Sequence, residues 1–112
     1  MRLGRENFDD DLEAINTVRQ AVGEQIKLMV DFNQSLTLDE ALYRCHRLDE
    51  FNLTWIEEPL IYDNFEGYSR LTTDINTPIQ LGENFYGPRE LYKALQMGAS
   101  DLLMPDFMRI EF

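Results

Sequence analysis

Leu53-Thr54-Trp55-Ile56-Glu57 is an apolar run that ends in an acid, and the chain repeats this pattern on either side of it. Leu28-Met29-Val30 ends in Asp31, and Ile79-Gln80-Leu81-Gly82 ends in Glu83. The acids are spaced by 26 residues, from 31 to 57 and from 57 to 83. A parallel strand, a helix and two short loops take about that many residues. The period therefore predicts successive β/α units with an acid at the carboxyl end of each strand.

A fourth acid, Asp106, closes the run Leu102-Leu103-Met104-Pro105 and extends the series to four units. The strands are short apolar runs without long alternation, which is typical of a sheet covered by helices. In parallel α/β folds the carboxyl edge of the sheet is where active sites are built. We therefore predict an α/β fold of parallel β/α units, with a candidate site at that edge.

Helical periodicity and end signals separate these strands. One helix is predicted from Phe8 to Val22, stopped by Gly23, and another behind the capping box of Thr37 and Glu40. Apolar stripes are predicted along three helices: Leu12, Ile15, Val18 and Val22 on the first, Leu38, Ala41, Leu42, Cys45 and Leu48 on the second, and Leu91, Ala94, Leu95 and Gly98 on the helix that begins at Pro88. The remaining predicted elements are a short helix from Glu66 to Thr72, a helix that begins at Pro88, and strands at Lys27–Val30, Leu53–Ile56, Ile79–Leu81 and Asp101–Met104.

Composition narrows the class of protein. The chain has 112 residues, 44% hydrophobic and 12% aromatic, which is typical of a globular domain. The formal charge of −11 argues against nucleic-acid and anionic-membrane partners. No apolar run approaches the roughly 20 residues of a membrane span. A single cysteine, Cys45, cannot form an internal disulfide, which favours a cytoplasmic location.

The number of units suggests a part of a larger barrel. Four β/α units cannot close a barrel that needs eight strands and about 250 residues. Met1 to Gly4 resembles the end of a strand, and the sequence stops just after the fourth one. We therefore expect a fragment of about half a TIM-type barrel.

Three carboxylates at one sheet edge favour a metal site. Without a counter-ion, close carboxylates raise each other's pKa and destabilise the fold. Octahedral Mg²⁺ accepts oxygen ligands and leaves positions for substrate and water. No Cys or His cluster competes for a softer metal. The candidate ligands are Asp31, Glu57 and Glu83, and the alternative is that these acids cap helices or lie in solvent.

Strand alternation sorts the neighbouring polar residues. Glu57 and Glu58 cannot both face the site along an extended strand, and the equal spacing favours Glu57. Pro59 is expected to hold Glu58 extended, in a supporting or loop-facing position. Asn33 is two residues after Asp31 and is expected to share its face.

Four stretches together carry a family resemblance: Met29-Val30-Asp31-Phe32-Asn33-Gln34, Thr54-Trp55-Ile56-Glu57-Glu58-Pro59, Gly82-Glu83-Asn84 and Met104-Pro105-Asp106. In residue type, order and spacing the chain resembles the enolase superfamily, most closely the mandelate racemase and muconate lactonizing enzyme family. The resemblance implies a (β/α)₈ barrel with a separate capping domain. Residues 1–112 would be a partial C-terminal barrel domain, from the end of strand 2 through strand 6, with the capping domain and last strands absent.

The resemblance also implies a chemistry. Asp31, Glu57 and Glu83 would hold one Mg²⁺, which grips the carboxylate of a small-molecule substrate while a base removes the neighbouring α-proton, giving a metal-stabilised enediolate. Asn33 would touch the substrate, and Asp106 would orient a histidine on the next strand. The parent protein would be a homo-oligomer.

The sequence departs from the family pattern at both ends. The second lysine of the family's Lys-x-Lys motif falls on Arg2, which stays protonated and is a poor base but a good carboxylate partner. The histidine that pairs with Asp106 would lie beyond Phe112. Glu111-Phe112 stand where the family commonly has two glycines, so a truncated end is expected there.

Two functions follow from these residues. The first is a fragment of a Mg²⁺-dependent racemase or dehydratase that acts on a 2-hydroxy or sugar acid. The alternative, favoured for the isolated 112 residues, is a non-catalytic β/α fragment that at most binds a divalent cation or self-associates through its sheet edges. His46 is expected at the surface and Cys45 in the core, and Arg109 fits a local charge role or a substrate role equally well.

Overall fold

Helices and strands alternate along the chain in the computed structural model, which describes residues 1–110. In chain order the elements are α1 (Phe8–Val22), β1 (Val30–Asp31), α2 (Leu38–Leu48), β2 (Ile56–Glu57), α3 (Phe65–Asp74), β3 (Ile79–Leu81), α4 (Pro88–Gln96) and β4 (Leu102–Leu103), with a 3₁₀ turn (Asp49–Phe51) after α2. The predicted β/α alternation is confirmed. The expectation for Glu111 and Phe112 lies outside the described residues.

The four strands form one parallel sheet in the order β1-β2-β3-β4. Arg2 adds a parallel bridge to Asp31 on the outer side of β1. Each strand is thus next to its successor, and right-handed crossovers then place all the helices on one face of the sheet. Such a singly wound order is that of an arc of a barrel, whereas a doubly wound sheet reverses its strand order.

The core lies where the helices meet the sheet. Ile15 of α1, Cys45 of α2, Leu71 of α3 and Ile79 of β3 are completely buried there. The predicted apolar stripe of α2 is confirmed, since Ala41, Cys45 and Leu48 are inaccessible to solvent.

Two residues of the predicted apolar stripes are exposed. Val22 is 40% exposed and Leu95 is 60% exposed. Each lies in the last turn of its helix, α1 and α4 respectively. The predicted stripes therefore extend beyond the buried core at these two helix ends.

Local signals set the helix ends as predicted. The Thr37 hydroxyl accepts the N–H of Glu40 at 3.4 Å, and Gly23 ends α1 with a φ of 78°. The Asn64 side chain accepts the N–H of Gly67, so α3 starts before the predicted Glu66. β1 and β2 contain their acids as last residues because the sheet ladder includes them.

A buried ion pair fixes the loop that follows Arg2. Asp11 of α1 is inaccessible to solvent and accepts the N–H groups of Gly4 and Arg5 at 2.9 and 3.2 Å. Arg44 of α2 lies 3.4 Å from the same carboxylate and donates to the Arg5 and Glu6 carbonyls. This loop stands at the carboxyl edge of the sheet and is held there by two helices.

In residues 1–110, no helix is both long enough and apolar enough to cross a membrane.

Candidate metal centre

Asp31 and Glu57 stand side by side at the carboxyl edge of the sheet. They are direct partners in the parallel register of β1 and β2, so their side chains leave the same face. Both residues are half-buried. The sheet therefore brings these two candidate ligands together, as the sequence indicated.

Glu57 is in an environment that disfavours its charge. Burial is the main cause of the raised pKa of Glu57, and the nearby charges of Asp31 and then Glu83 raise it further. The Trp55 indole opposes the shift, although its Nε1 forms no full hydrogen bond with any group in residues 1–110. The charges of Asp31, at the end of β1, and of Glu83, beyond β3, thus both act on Glu57.

A glycine places Glu83 at the same edge. Glu83 lies two residues beyond β3, after Gly82, whose φ is 142°. A Cβ atom at position 82 would lie 3.0 Å from the backbone N and C of Met104. Only glycine fits between Leu81 and Glu83, because β4 passes so closely.

Glu58 is the site residue whose backbone conformation the sequence analysis predicted wrongly. Its φ is 39°, so the expectation that Pro59 keeps it extended was wrong. The Glu58 N–H donates to Gln80 and its carbonyl accepts the N–H of Gln34, so bonds to both neighbouring strands hold the turned backbone. The residue is completely buried.

The Glu58 carboxylate is also held in the candidate site. Asn84 Nδ2 donates to both of its oxygens, at 3.1 and 2.8 Å. Burial raises the pKa of Glu58 to about 7, the Asn84 bond opposes this, and the charges of Glu83, Asp31 and Glu57 add to the rise. Both acids of the Glu57-Glu58 pair therefore belong to this edge.

Asn33 does not continue the strand. Its φ is 47°, and its N–H donates to Asp31 Oδ1 at 2.7 Å, which forms a turn directly after β1. Strand alternation stops at Asp31, so the argument that both residues share a strand face was wrong. Asn33 is exposed next to Asp31, and its contact with a substrate stays a prediction.

Arg2 and Asp106 flank the three acids. Arg2 is exposed on the bridge beside Asp31. Asp106 Oδ1 accepts the N–H of Met108 at 2.9 Å, and its Oδ2 lies 3.6 Å from Arg109 Nε. The Asp106 carboxylate thus stabilises the turn after β4, and its role toward a histidine stays a prediction.

His46 and Cys45 lie where the sequence analysis placed them. His46 is exposed on α2. Cys45 is completely buried, and burial raises the pKa of its thiol to about 12, with the charge of Asp49 as a lesser cause. A thiol that stays protonated is a core residue and not a nucleophile.

The three predicted ligands do not converge in this conformation. Among residues 1–110, no three His, Cys, Asp or Glu side chains form a group that could hold a metal ion. Asp31 accepts a hydrogen bond from the Asn33 N–H, and Glu83 Oε1 lies 3.4 Å from Asn84 Nδ2. Repulsion between the negative charges also favours keeping the carboxylates apart. The donor set nevertheless consists of hard oxygens from adjacent strand ends, which suits Mg²⁺. The ligand assignment stays a prediction.

Comparison with known proteins gives the family. The family model described as "Enolase C-terminal domain-like" matches residues 1–111. The L-talarate/galactarate dehydratase of Salmonella typhimurium is 36% identical over 110 residues, which are 98% of this chain and 28% of that protein. Other curated relatives include a D-galactarolactone cycloisomerase and N-succinylamino acid racemases.

Solved structures agree with this family. An enolase from the alphaproteobacterium bal199, solved with bound Mg, is 54% identical, has a TM-score of 0.93, and is matched over 97% of this chain and 30% of its own. The L-talarate dehydratase of Polaromonas sp. JS666, in complex with Mg and L-glucarate, is 34% identical with a TM-score of 0.97, over 98% of this chain and 31% of its own. This chain thus spans about 30% of the length of its relatives and corresponds to part of their (β/α)₈ barrel. The chain belongs to the enolase C-terminal domain-like family, among relatives of mandelate racemase and muconate lactonizing enzyme.

Proposed function

We propose that this chain is part of a Mg²⁺-dependent enzyme that removes the α-proton of a carboxylate substrate, a 2-hydroxy or sugar acid, in a racemase or dehydratase reaction. One observation carries the proposal: Asp31 and Glu57 are register partners at the carboxyl edge of the sheet, and the charge of Glu83, from the next strand end, acts on Glu57. The relatives support the proposal, because two solved structures that this chain matches over 30% and 31% of their length contain Mg. One of them also contains L-glucarate.

We also propose that residues 1–112 run from the end of strand 2 to strand 6 of the barrel. The bridge between Arg2 and Asp31 supports this numbering, since it supplies one strand position ahead of β1. A capping domain and the closing strands would belong to the rest of the protein. A homo-oligomeric parent and a cytoplasmic location stay predictions.

The residues of this chain would divide the work. Asp31, Glu57 and Glu83 would hold the ion, which supplies a Lewis acid for the substrate carboxylate. Arg2 would bind and orient an anionic group of the substrate, since a guanidinium is a good carboxylate partner and a poor base. Asn33, exposed next to Asp31, would donate a hydrogen bond to the substrate.

A second candidate is cation binding without turnover. Arginine at position 2 favours it, because it is a poor base where the resembling family has a lysine. Asp106 favours it as well, since its carboxylate is engaged by the Met108 N–H and the Arg109 side chain.

Thermal unfolding with and without MgCl₂ tests the shared part of both candidates. Binding to the folded state alone stabilises it by about 2.7 kcal/mol at 100 times Kd, so Tm should rise with MgCl₂. Glu57→Gln should abolish this rise. Glu13→Gln, at an exposed position of α1, is the matched control and should keep it. A Tm that MgCl₂ leaves unchanged in the unaltered protein would refute the metal site.

Proton exchange separates the two candidates. The full protein is incubated in D₂O with MgCl₂ and glucarate, galactarate or mandelate, and the α-proton signal is followed by NMR. Its loss, absent in Glu57→Gln, supports proton abstraction. A Tm shift without exchange for any of the acids favours binding alone.

A further inference from the structure

Asn84 joins three segments of the candidate site. From the β3 end, its Nδ2 donates to Glu58 Oε1 and Oε2 at 3.1 and 2.8 Å, and lies 3.4 Å from Glu83 Oε1. Its Oδ1 accepts from Arg109 Nη1 at 2.8 Å. One half-buried amide thus connects the carboxyl ends of β2 and β3 with the turn after β4.

The chemistry of the partners fixes the orientation of this amide. Ionised carboxylates only accept hydrogen bonds and a guanidinium only donates them. Because Arg109 can only donate, the oxygen of Asn84 must face Arg109, and this leaves the NH₂ group to face Glu58 and Glu83. A flipped amide would place its oxygen against two carboxylates and its NH₂ against a cation.

Arg109 anchors the amide from the far side. The same Nη1 that donates to Asn84 also donates to the Glu83 carbonyl at 3.1 Å. Its Nε lies 3.6 Å from Asp106 Oδ2, and Arg109 N donates to the Asp106 carbonyl at 3.0 Å. The turn after β4 is thereby tied to both the backbone and the side chain of the β3 end.

We propose that Asn84, held by Arg109, is a positioning residue. It would set the Glu58 and Glu83 carboxylates relative to each other and so fix the geometry of the candidate metal site at the ends of β2 and β3. This inference rests on the proposed function. Groups that hydrogen-bond to metal-binding carboxylates orient them, and replacing such groups typically weakens metal binding about 10- to 100-fold.

The most informative substitution is Asn84→Asp. It keeps the shape of the side chain but replaces the NH₂ donor with a charged acceptor that faces Glu58 and Glu83. The chain offers a matched control in Asn76→Asp. Asn76 Nδ2 also donates to a carboxylate, Asp49 Oδ2 at 3.2 Å, but it lies just ahead of β3 at the opposite end of the strand.

The first experiment tests whether the network exists. Tm is measured for Asn84→Ala, Arg109→Met and the double variant of the protein, all in EDTA. If the two side chains act as one unit, the double variant loses less than the sum of the two single losses. Additive losses would overturn the network.

The second experiment tests its positioning role by calorimetric titration with MgCl₂. We expect Asn84→Asp to weaken the affinity for Mg²⁺ about 10- to 100-fold and Asn76→Asp to change it less than about twofold. If Asn84→Asp leaves the affinity within twofold of the unaltered protein, the positioning role is overturned even where the first experiment finds coupling. If the unaltered protein binds no Mg²⁺, both the proposed function and the positioning role fail, and coupling between Asn84 and Arg109 would then be structural only.

Discussion

Replacing Gly82 with alanine should destabilise the protein more than the same change at Gly23, Gly87 or Gly98. Those three glycines also have a positive φ, but nothing in residues 1–110 lies close to a Cβ added there. Gly82 has a φ of 142°, and an added Cβ would lie 3.0 Å from Met104 N and C and 3.2 Å from its carbonyl oxygen. The neighbour cannot move aside cheaply, because Met104 N donates to the Leu81 carbonyl at 3.1 Å within the β3–β4 pairing.

Two costs add at this position. An alanine forced into a glycine-type backbone conformation costs about 1–3 kcal/mol. Overpacking against atoms that cannot relax costs about 1–3 kcal/mol more. The expected loss is therefore about 2–6 kcal/mol, a large part of the 5–15 kcal/mol that stabilises a typical domain.

Gly98 separates the two costs. Its φ is 59°, but nothing lies within 4 Å of an added Cβ. Gly98→Ala should therefore carry only the left-handed backbone penalty of about 1–2 kcal/mol.

Urea unfolding followed by circular dichroism measures the free energy of unfolding of both variants. The reasoning is refuted if Gly82→Ala is no less stable than Gly98→Ala. It is also refuted if the loss at Gly82 comes with a changed m value, which would place the effect in the denatured state.

Three further changes test the charges that the fold has buried or bonded. The pKa of Glu58 is raised from 4.5 to about 7. Its ionisation therefore destabilises the folded state increasingly as pH rises from 4.5 to about 7, and the full destabilisation is present above about pH 7. In EDTA, Glu58→Gln should gain up to about 3 kcal/mol near pH 8 and nothing near pH 4, measured by urea unfolding; an equal gain at both pH values would contradict this. Asp11→Ala should cost about 3–5 kcal/mol because it leaves Arg44 buried without this partner, whereas Glu13→Ala, at an exposed position in the middle of α1, should cost less than about 0.5 kcal/mol in the same assay. Burial acts to raise the pKa of Asp49, but hydrogen bonds from residues 76 and 77 outweigh this effect and lower the pKa. The ionised carboxylate therefore stabilises the folded state fully above pH 3.8, and this stabilisation is lost as pH falls through the folded-state pKa. Asp49→Asn should lower Tm at neutral pH, and a Tm difference that persists unchanged in acid would contradict this.

Features set by nearby residues were predictable from the sequence. Asn7 and Gly23 bound α1 through contacts within its own end turns, so its limits of Phe8 and Val22 were predicted correctly. The parallel order of the sheet followed from the spacing of acids and apolar runs, since a strand and a returning helix have nearly fixed lengths.

Features set by distant residues were not predictable. The turned backbone of Glu58 depends on bonds to Gln34 and Gln80, which lie 24 and 22 residues away in the chain. Asp11 is outside the apolar stripe predicted for α1, yet it is buried and pairs with Arg44 of α2, 33 residues later in the chain. Hydrophobic periodicity and secondary-structure propensity describe one helix or strand at a time. The environments of Glu58 and Asp11 exist only after several elements have packed together.

The register of the sheet has a consequence for how an ion could be held. Asp31, Glu57 and Glu83 are separated by 26 residues at each step along the chain, and only the pairing of successive strands brings them to the same edge of the sheet. An unfolded chain would have to close two long loops at once to present the same oxygens, at an entropic cost that folding has already met. A cation captured by this trio would therefore select the assembled sheet over every disordered state, and its dissociation constant would report on how completely β1, β2 and β3 are assembled.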